Sequence, residues 1–105
     1  MSINDKLLKS AAAAGGLTPS ENFKVVTWTG NGSSQSITGV GFKPDFVWGK
    51  ERSSTSSHEL QDSTRGATKY LMANSTNGEA TSAQGLQTFD SDGFTVGNDG
   101  AWNQN

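Results

Sequence analysis

The residues able to do chemistry in this chain are few, and their spacing constrains what they can do. His58 is the only histidine. One imidazole supports no multi-histidine metal site, and no serine or acid stands at a recognised spacing from it for nucleophile activation. It is expected at an exposed or strand-edge position. A polysaccharide hydrolase needs two carboxylates at a defined separation. Glu51, Glu59, Asp90 and Asp92 are available, but no spacing singles out a pair. The stretches "DSDG" (Asp90–Gly93) and "NDG" (Asn98–Gly100) resemble fragments of a calcium loop. They lack the further oxygen ligand and the distal glutamate that an EF-hand requires, so they read as turns, where glycine tolerates positive φ. "GNGSS" and "GVGFKP" match neither glycine-rich phosphate-binding pattern. The expectation is therefore a protein that is not an enzyme, with no catalytic residue, no metal ligand and no cofactor.

Aromatic side chains offer a different chemistry. Trp28, Trp48, Trp102 and Tyr70 could stack on sugar rings while neighbouring Asn, Asp and Gln bind hydroxyls. In a small β-domain the competing demand is burial, because Trp and Phe supply most of the core area. Trp28 and Trp48 are assigned to the core. Trp102, near a chain end, is divided between core and surface, and with Tyr70 it forms the candidate ligand or edge contact. Arg65, before Gly66 in a turn, is expected to pair with Asp62 and steady a hairpin.

The composition narrows the partners. The net charge is −2, and Lys43, Lys50 and Arg52 are interrupted by Asp45 and Glu51. A nucleic-acid surface needs an unbroken basic patch, so no nucleic-acid partner is expected. There are no cysteines, which removes disulfide and thiolate staples. No apolar run approaches the ~20 residues of a membrane-spanning helix, so membrane insertion is not expected. "MSINDKLLKSAAAAGG" carries Asp5 and Lys9 where a signal peptide would be apolar, which suggests synthesis for a cytoplasm. Charged residues make up 17% and hydrophobic residues 31% of the chain. That polar but uncharged balance fits a turn-rich β protein whose strands bury one face.

Three regions of different character must position these residues. Residues 1–16 are read as a helical anchor segment. Ser2 and Asp5 form a capping-box variant, Ala11 to Ala14 favour helix, and Gly15 and Gly16 stop it. Ile3, Leu7, Leu8 and Ala11 fall on one side, an apolar stripe suited either to the chain's own domain or to another subunit. Residues 17–22 are a linker. Residues 23–105 form a small β-domain with strand-length runs about every ten residues. The expected strands are Phe23–Thr29, Ser34–Thr38, Asp45–Glu51, Ser57–Gln61, Thr68–Ala73 and the two sides of "DSDG". "GNGS" is expected to pair the first two as a hairpin. Ser53–Ser57 and Ser75–Ala83 are read as polar loops. The fold class is all-β, a small antiparallel β-sandwich or partial barrel preceded by a short N-terminal helix.

Several phrases taken together are specific. "FKVVTWTGNGSSQSITGVGFKPDFVWGKERSS", "DSTRGATKYLMANST" and "FDSDGFTVGNDGAWN" resemble a repeat domain of structural proteins in tailed bacteriophages, notably those of aquatic bacteria. The matching positions are Trp28–Gly30, Gly39–Val47, Arg65–Leu71 and Phe89–Gly97, and the likeness spans roughly Phe23–Asn103. It implies a virion structural component, in a fibre, appendage or capsid surface, assembled in the bacterial host cytoplasm. It implies other virion proteins of capsid or tail as partners and a homo-oligomer, and it carries no catalytic residues. Ile3, Leu7, Leu8 and Ala11 would then be the assembly anchor. A host-surface glycan is the alternative partner, held by Trp102 and Tyr70. Members of the family continue past the "WN" position with a further strand. The resemblance thus implies an unpaired edge near Trp102, open to strand addition.

Overall fold

A computed structural model describes residue 16 and residues 18–105. The expected N-terminal helix and its anchor residues Ile3, Leu7, Leu8 and Ala11 lie outside the described residues.

The described residues are all-β, with seven strands in two antiparallel sheets and two single-turn helices. Helix α1 (Pro19–Asn22) opens the described region with Pro19 in its first turn, where the missing N–H costs nothing. The strands are β1 (Gln35–Ile37), β2 (Phe46–Gly49), β3 (Glu59–Asp62), β4 (Lys69–Met72), β5 (Ala80–Thr81), β6 (Leu86–Asp90) and β7 (Gly93–Val96). Helix α2 (Gly100–Asn103) closes the chain. One sheet runs β1-β7-β6 and the other β2-β3-β4-β5, in a sandwich-like arrangement.

The first sheet alternates along β1, while β6 carries a register shift between Leu86 and Thr88. Ile37, Phe94, Val96 and Leu86 face inward and form the buried core with Trp102 from α2. The central strand β7 aligns Phe94 with Ile37 on one side and Val96 with Leu86 on the other. The "DSDG" hairpin joins β6 to β7 as its turn chemistry implied.

Two expected strands behave differently. Phe23–Thr29 is extended with its side chains alternating, Val26 and Trp28 inward and Val25 and Thr27 outward, but it joins no ladder. Its expected partner β1 pairs with β7 instead. The "GNGS" stretch forms no hairpin turn, and its backbone bonds Asn103 instead. Gly32 N–H donates to the Asn103 carbonyl at 2.9 Å, and Asn31 N–H to Asn103 Oδ1 at 3.0 Å. β5 arises within a stretch expected to be loop, pairing Ala80 with Tyr70.

Candidate functional site

Three clusters hold the side chains that sequence reasoning singled out. The first centres on Trp102. Asp99 caps α2 by accepting from Ala101 N–H at 2.9 Å, and the helical turn swings the indole between the sheets. Trp102 stacks on Trp28 at a centroid distance of 6.2 Å and meets Phe94 edge-on at 6.3 Å. Trp28 returns a hydrogen bond from Nε1 to the Trp102 carbonyl at 2.9 Å. Gly49 of β2 lies directly beneath the ring, where a β-carbon would sit 2.3 Å from the indole. Only glycine permits that approach.

The tip of the indole reaches the other sheet. Trp102 Nε1 donates to Glu59 Oε2 at 2.5 Å, and Gln61 Nε2 donates to the same oxygen at 3.2 Å. Glu59 is 6% exposed, and burial raises its pKa above the ordinary carboxylate value. The nearby Asp99 charge adds to that rise, while the two hydrogen bonds oppose it. Tyr70 faces the same charges, and its hydroxyl is shifted upward by burial, then by Glu59 and Asp99. The cluster places one buried carboxylate against two donors. It presents neither a nucleophile nor a second carboxylate bonded to it. Gln61 Oε1 is buried without a partner beside it.

Trp28 packs against the core, as expected of it. Trp102 is interior at 4% exposure, on a helix and packed against Gly49 of the edge strand β2. Tyr70 lies half-buried on β4. Trp48, expected in the core, is instead 59% exposed on the outer face of β2. Its position follows from strand alternation, because Val47 and Gly49 take the inner face. Its Nε1 donates to His58 Nδ1 at 3.0 Å, which accounts for the histidine at a strand end.

The second cluster fastens two loops. Asp92, at the hairpin tip, accepts from Gly39 N–H at 3.0 Å and Gly41 N–H at 2.7 Å. Both glycines have positive φ, 82° and 90°, which an L-residue adopts only with strain. Those amides lower the Asp92 pKa, Gly41 first and Gly39 second. The motif blocks "GVGF" and "DSDG" are therefore one structural device. The third cluster is the expected ion pair. Arg65 Nε meets Asp62 Oδ2 at 2.5 Å, and Arg65 Nη2 donates to the Leu60 carbonyl at 3.1 Å. Asp62 is lowered chiefly by the Arg65 backbone amide and then by its guanidinium.

On the surface, Glu51 gathers the hydroxyls of Ser53, Ser54 and Ser56, which pull its pKa down. The expected solvated loop is thus ordered by its own side chains. Between the extended Phe23–Gly30 wall and the Phe42–Ser53 wall lie two clefts. One of about 540 Å³ is bordered by Phe23, Val25, Phe46 and Trp48, and one of about 370 Å³ by Trp28, Lys50 and Glu51. Among the described residues no three His, Asp or Glu side chains converge to hold a metal ion. No described helix is long and apolar enough to cross a membrane.

Sequence reasoning missed Asn103, which is 1% exposed and bonds five groups. Its Nδ2 donates to Asn31 Oδ1, the Ser33 carbonyl and the Gly97 carbonyl, and its Oδ1 accepts from Asn31 N–H and Gln35 Nε2. The legible signal was Asp99 before a glycine and an apolar pair, a helix N-cap read as a turn.

No curated protein and no solved structure matches the chain. Residues 18–105 match a family described as a domain of unknown function, a span that takes in every strand and both helices above. The chain belongs to that family, DUF7483.

Proposed function

We propose that the protein is a non-enzymatic structural component of a tailed-phage virion. It docks to the particle through its N-terminal segment and displays the β-domain as part of a homo-oligomer. The observation that carries this reading is how the polar residues of the resembling blocks are used. Asp92 holds Gly39 and Gly41, Arg65 holds Asp62 and Leu60, and Asn103 holds Asn31, Ser33 and Gly97. Each is bonded to the protein itself, which fits a scaffold whose polar residues fasten its own loops. Glycan binding through Trp102 has less support, because that ring is packed against Trp28, Phe94 and Gly49.

The anchor is tested in the full chain with Leu7→Asp and Leu8→Asp together. The expected result is loss of the protein from purified particles while the β-domain stays folded in solution. Undiminished incorporation would contradict the docking role of the N-terminal segment.

A further inference from the structure

The four-stranded sheet ends at β2, and that edge is built unlike a guarded one. Ser63 N–H donates to the Asp45 carbonyl at 2.8 Å, so Asp45 and Ser63 are a hydrogen-bonding pair. Antiparallel ladders alternate, and the register runs Phe46 opposite Asp62, Val47 opposite Gln61 and Trp48 opposite Leu60. The main-chain groups of Val47 and Gly49 therefore face β3, and those of Phe46 and Trp48 face outward. Sheet edges are usually blunted by charge, proline or a bulge. Within Phe46–Gly49 there is none of these; Pro44 and Asp45 lie just before it and Lys50 and Glu51 just after, so the unguarded stretch is four residues long, with Phe46 and Trp48 56% and 59% exposed. The edge opens onto the 540 Å³ groove, whose far wall carries Phe23 and Val25, 72% and 75% exposed.

We propose that this edge is an interface between two copies of the chain, which pair β2 against β2 about a two-fold axis at Val47. The surface is complementary to itself in three respects. Phe46 of one copy would exchange both main-chain hydrogen bonds with Trp48 of the second, and Trp48 with Phe46, leaving Val47 opposite Val47. The two four-stranded sheets then become one sheet of eight, with aromatic pairs across the join. The charges also permit it: Glu21 and Asp45 oppose Lys24 and Lys43 around the groove, so a second copy meets both signs. A single-signed rim would repel its own copy. The area suffices as well. Fully buried aromatics cover roughly 150–250 Å² each. At their exposures, Phe23, Phe46 and Trp48 leave on the order of 350 Å² per copy. With Val25, Phe42 and the strand backbone, two copies approach the ~1,000 Å² of a specific interface.

This surface gives a contact to the homo-oligomer of the proposed function and rests on that reading only for its place in a particle. The test is made in solution, so its failure is separate from a failure of particle docking. Sedimentation equilibrium of the full chain is expected to give twice the 11.0 kDa chain mass. Phe46→Lys with Trp48→Lys is expected to return the monomer mass, with unchanged far-ultraviolet circular dichroism. Should that pair unfold the chain, Val47→Cys remains informative. The protein has no other cysteine, and opposed residues in such a pair have β-carbons ~4.5–5.5 Å apart, close enough for a disulfide after slight adjustment. Mild oxidation should then yield a covalent dimer in high yield. A monomeric wild-type chain overturns the proposal, as does a dimer that persists in the folded double-lysine variant or a Val47→Cys chain that stays uncrosslinked.

Discussion

The two sheets of this domain solve the burial problem in opposite ways. The three-stranded sheet buries Ile37, Leu86, Phe94 and Val96, the ordinary apolar inner face of a sandwich. The four-stranded sheet turns Gly49, Glu59 and Gln61 inward and leaves Phe46 and Trp48 outward. Trp102 reconciles them, because it is apolar toward Phe94 and Trp28 and donates its one N–H to Glu59. A small domain with little apolar material can thus close its core with one amphipathic ring. The cost is a carboxylate held in partly dry surroundings and apolar surface left at an edge.

The largest effect should come from removing the shared ring. Trp102→Ala deletes the only side chain of α2 in the core cluster, and losses of ~3–5 kcal/mol are usual for such a change. Urea denaturation should show it, and in a domain this small it brings the chain near unfolding. Gly49→Ala attacks the same contact from the other sheet. Its β-carbon would meet the indole at 2.3 Å, so a loss of about 1–3 kcal/mol is expected from overpacking. Trp48→Ala is the counterpart on the outward face. With its ring 59% exposed, the monomer should lose less than about 1 kcal/mol. If Trp48 cost as much as Trp102, the contrast between the two faces would collapse.

Two carboxylates sharpen the contrast through pH. Glu59 has a raised folded pKa, so its folded state binds a proton more readily than its unfolded state. Stability from this group is therefore greatest at low pH and falls as pH rises from ~4.3 through the folded value. Glu59→Gln keeps an acceptor for Trp102 and removes the buried charge. It should raise the thermal midpoint near pH 7 and change it little near pH ~4. Asp92 has the opposite sign. Its folded pKa is lowered, so its contribution is present above ~3.9 and is lost as pH falls through the folded value. Asp92→Asn should lower the midpoint at neutral pH and narrow the difference from wild type in acid. Thermal melts across pH check both, and a common slope for the two variants would contradict the assignment.

The strands were legible where alternation and turn chemistry agreed. "LQTFD-SD-GFTV" carries both, and the β6–β7 hairpin forms there. Phe23–Thr29 has the alternation and the β-branched residues, and its side chains do alternate, but its backbone finds no ladder. Local pattern reports which face is buried. It does not report that a residue 72 positions away, Asn103, will take the Asn31 amide. The same limit governs the tryptophans. Composition predicts that large rings will be buried but cannot say which ones. That choice depended on Gly49 leaving room beneath Trp102 and on Val47 claiming the inner face beside Trp48. The Asp62–Arg65 pair, three residues apart in one turn, was readable because nothing distant is needed to form it.

The claim that stability resides in the three-stranded sheet and its Trp102 plug is tested most directly by residue-resolved amide hydrogen exchange on the dilute full chain. Amides in β7 that pair with β1 and β6 should open only with global unfolding. Those of Lys24 to Trp28, which have no ladder partner, should exchange far faster. Equal protection in the two segments would mean that Phe23–Thr29 is paired in solution, and the account of an open wall beside β2 would fail.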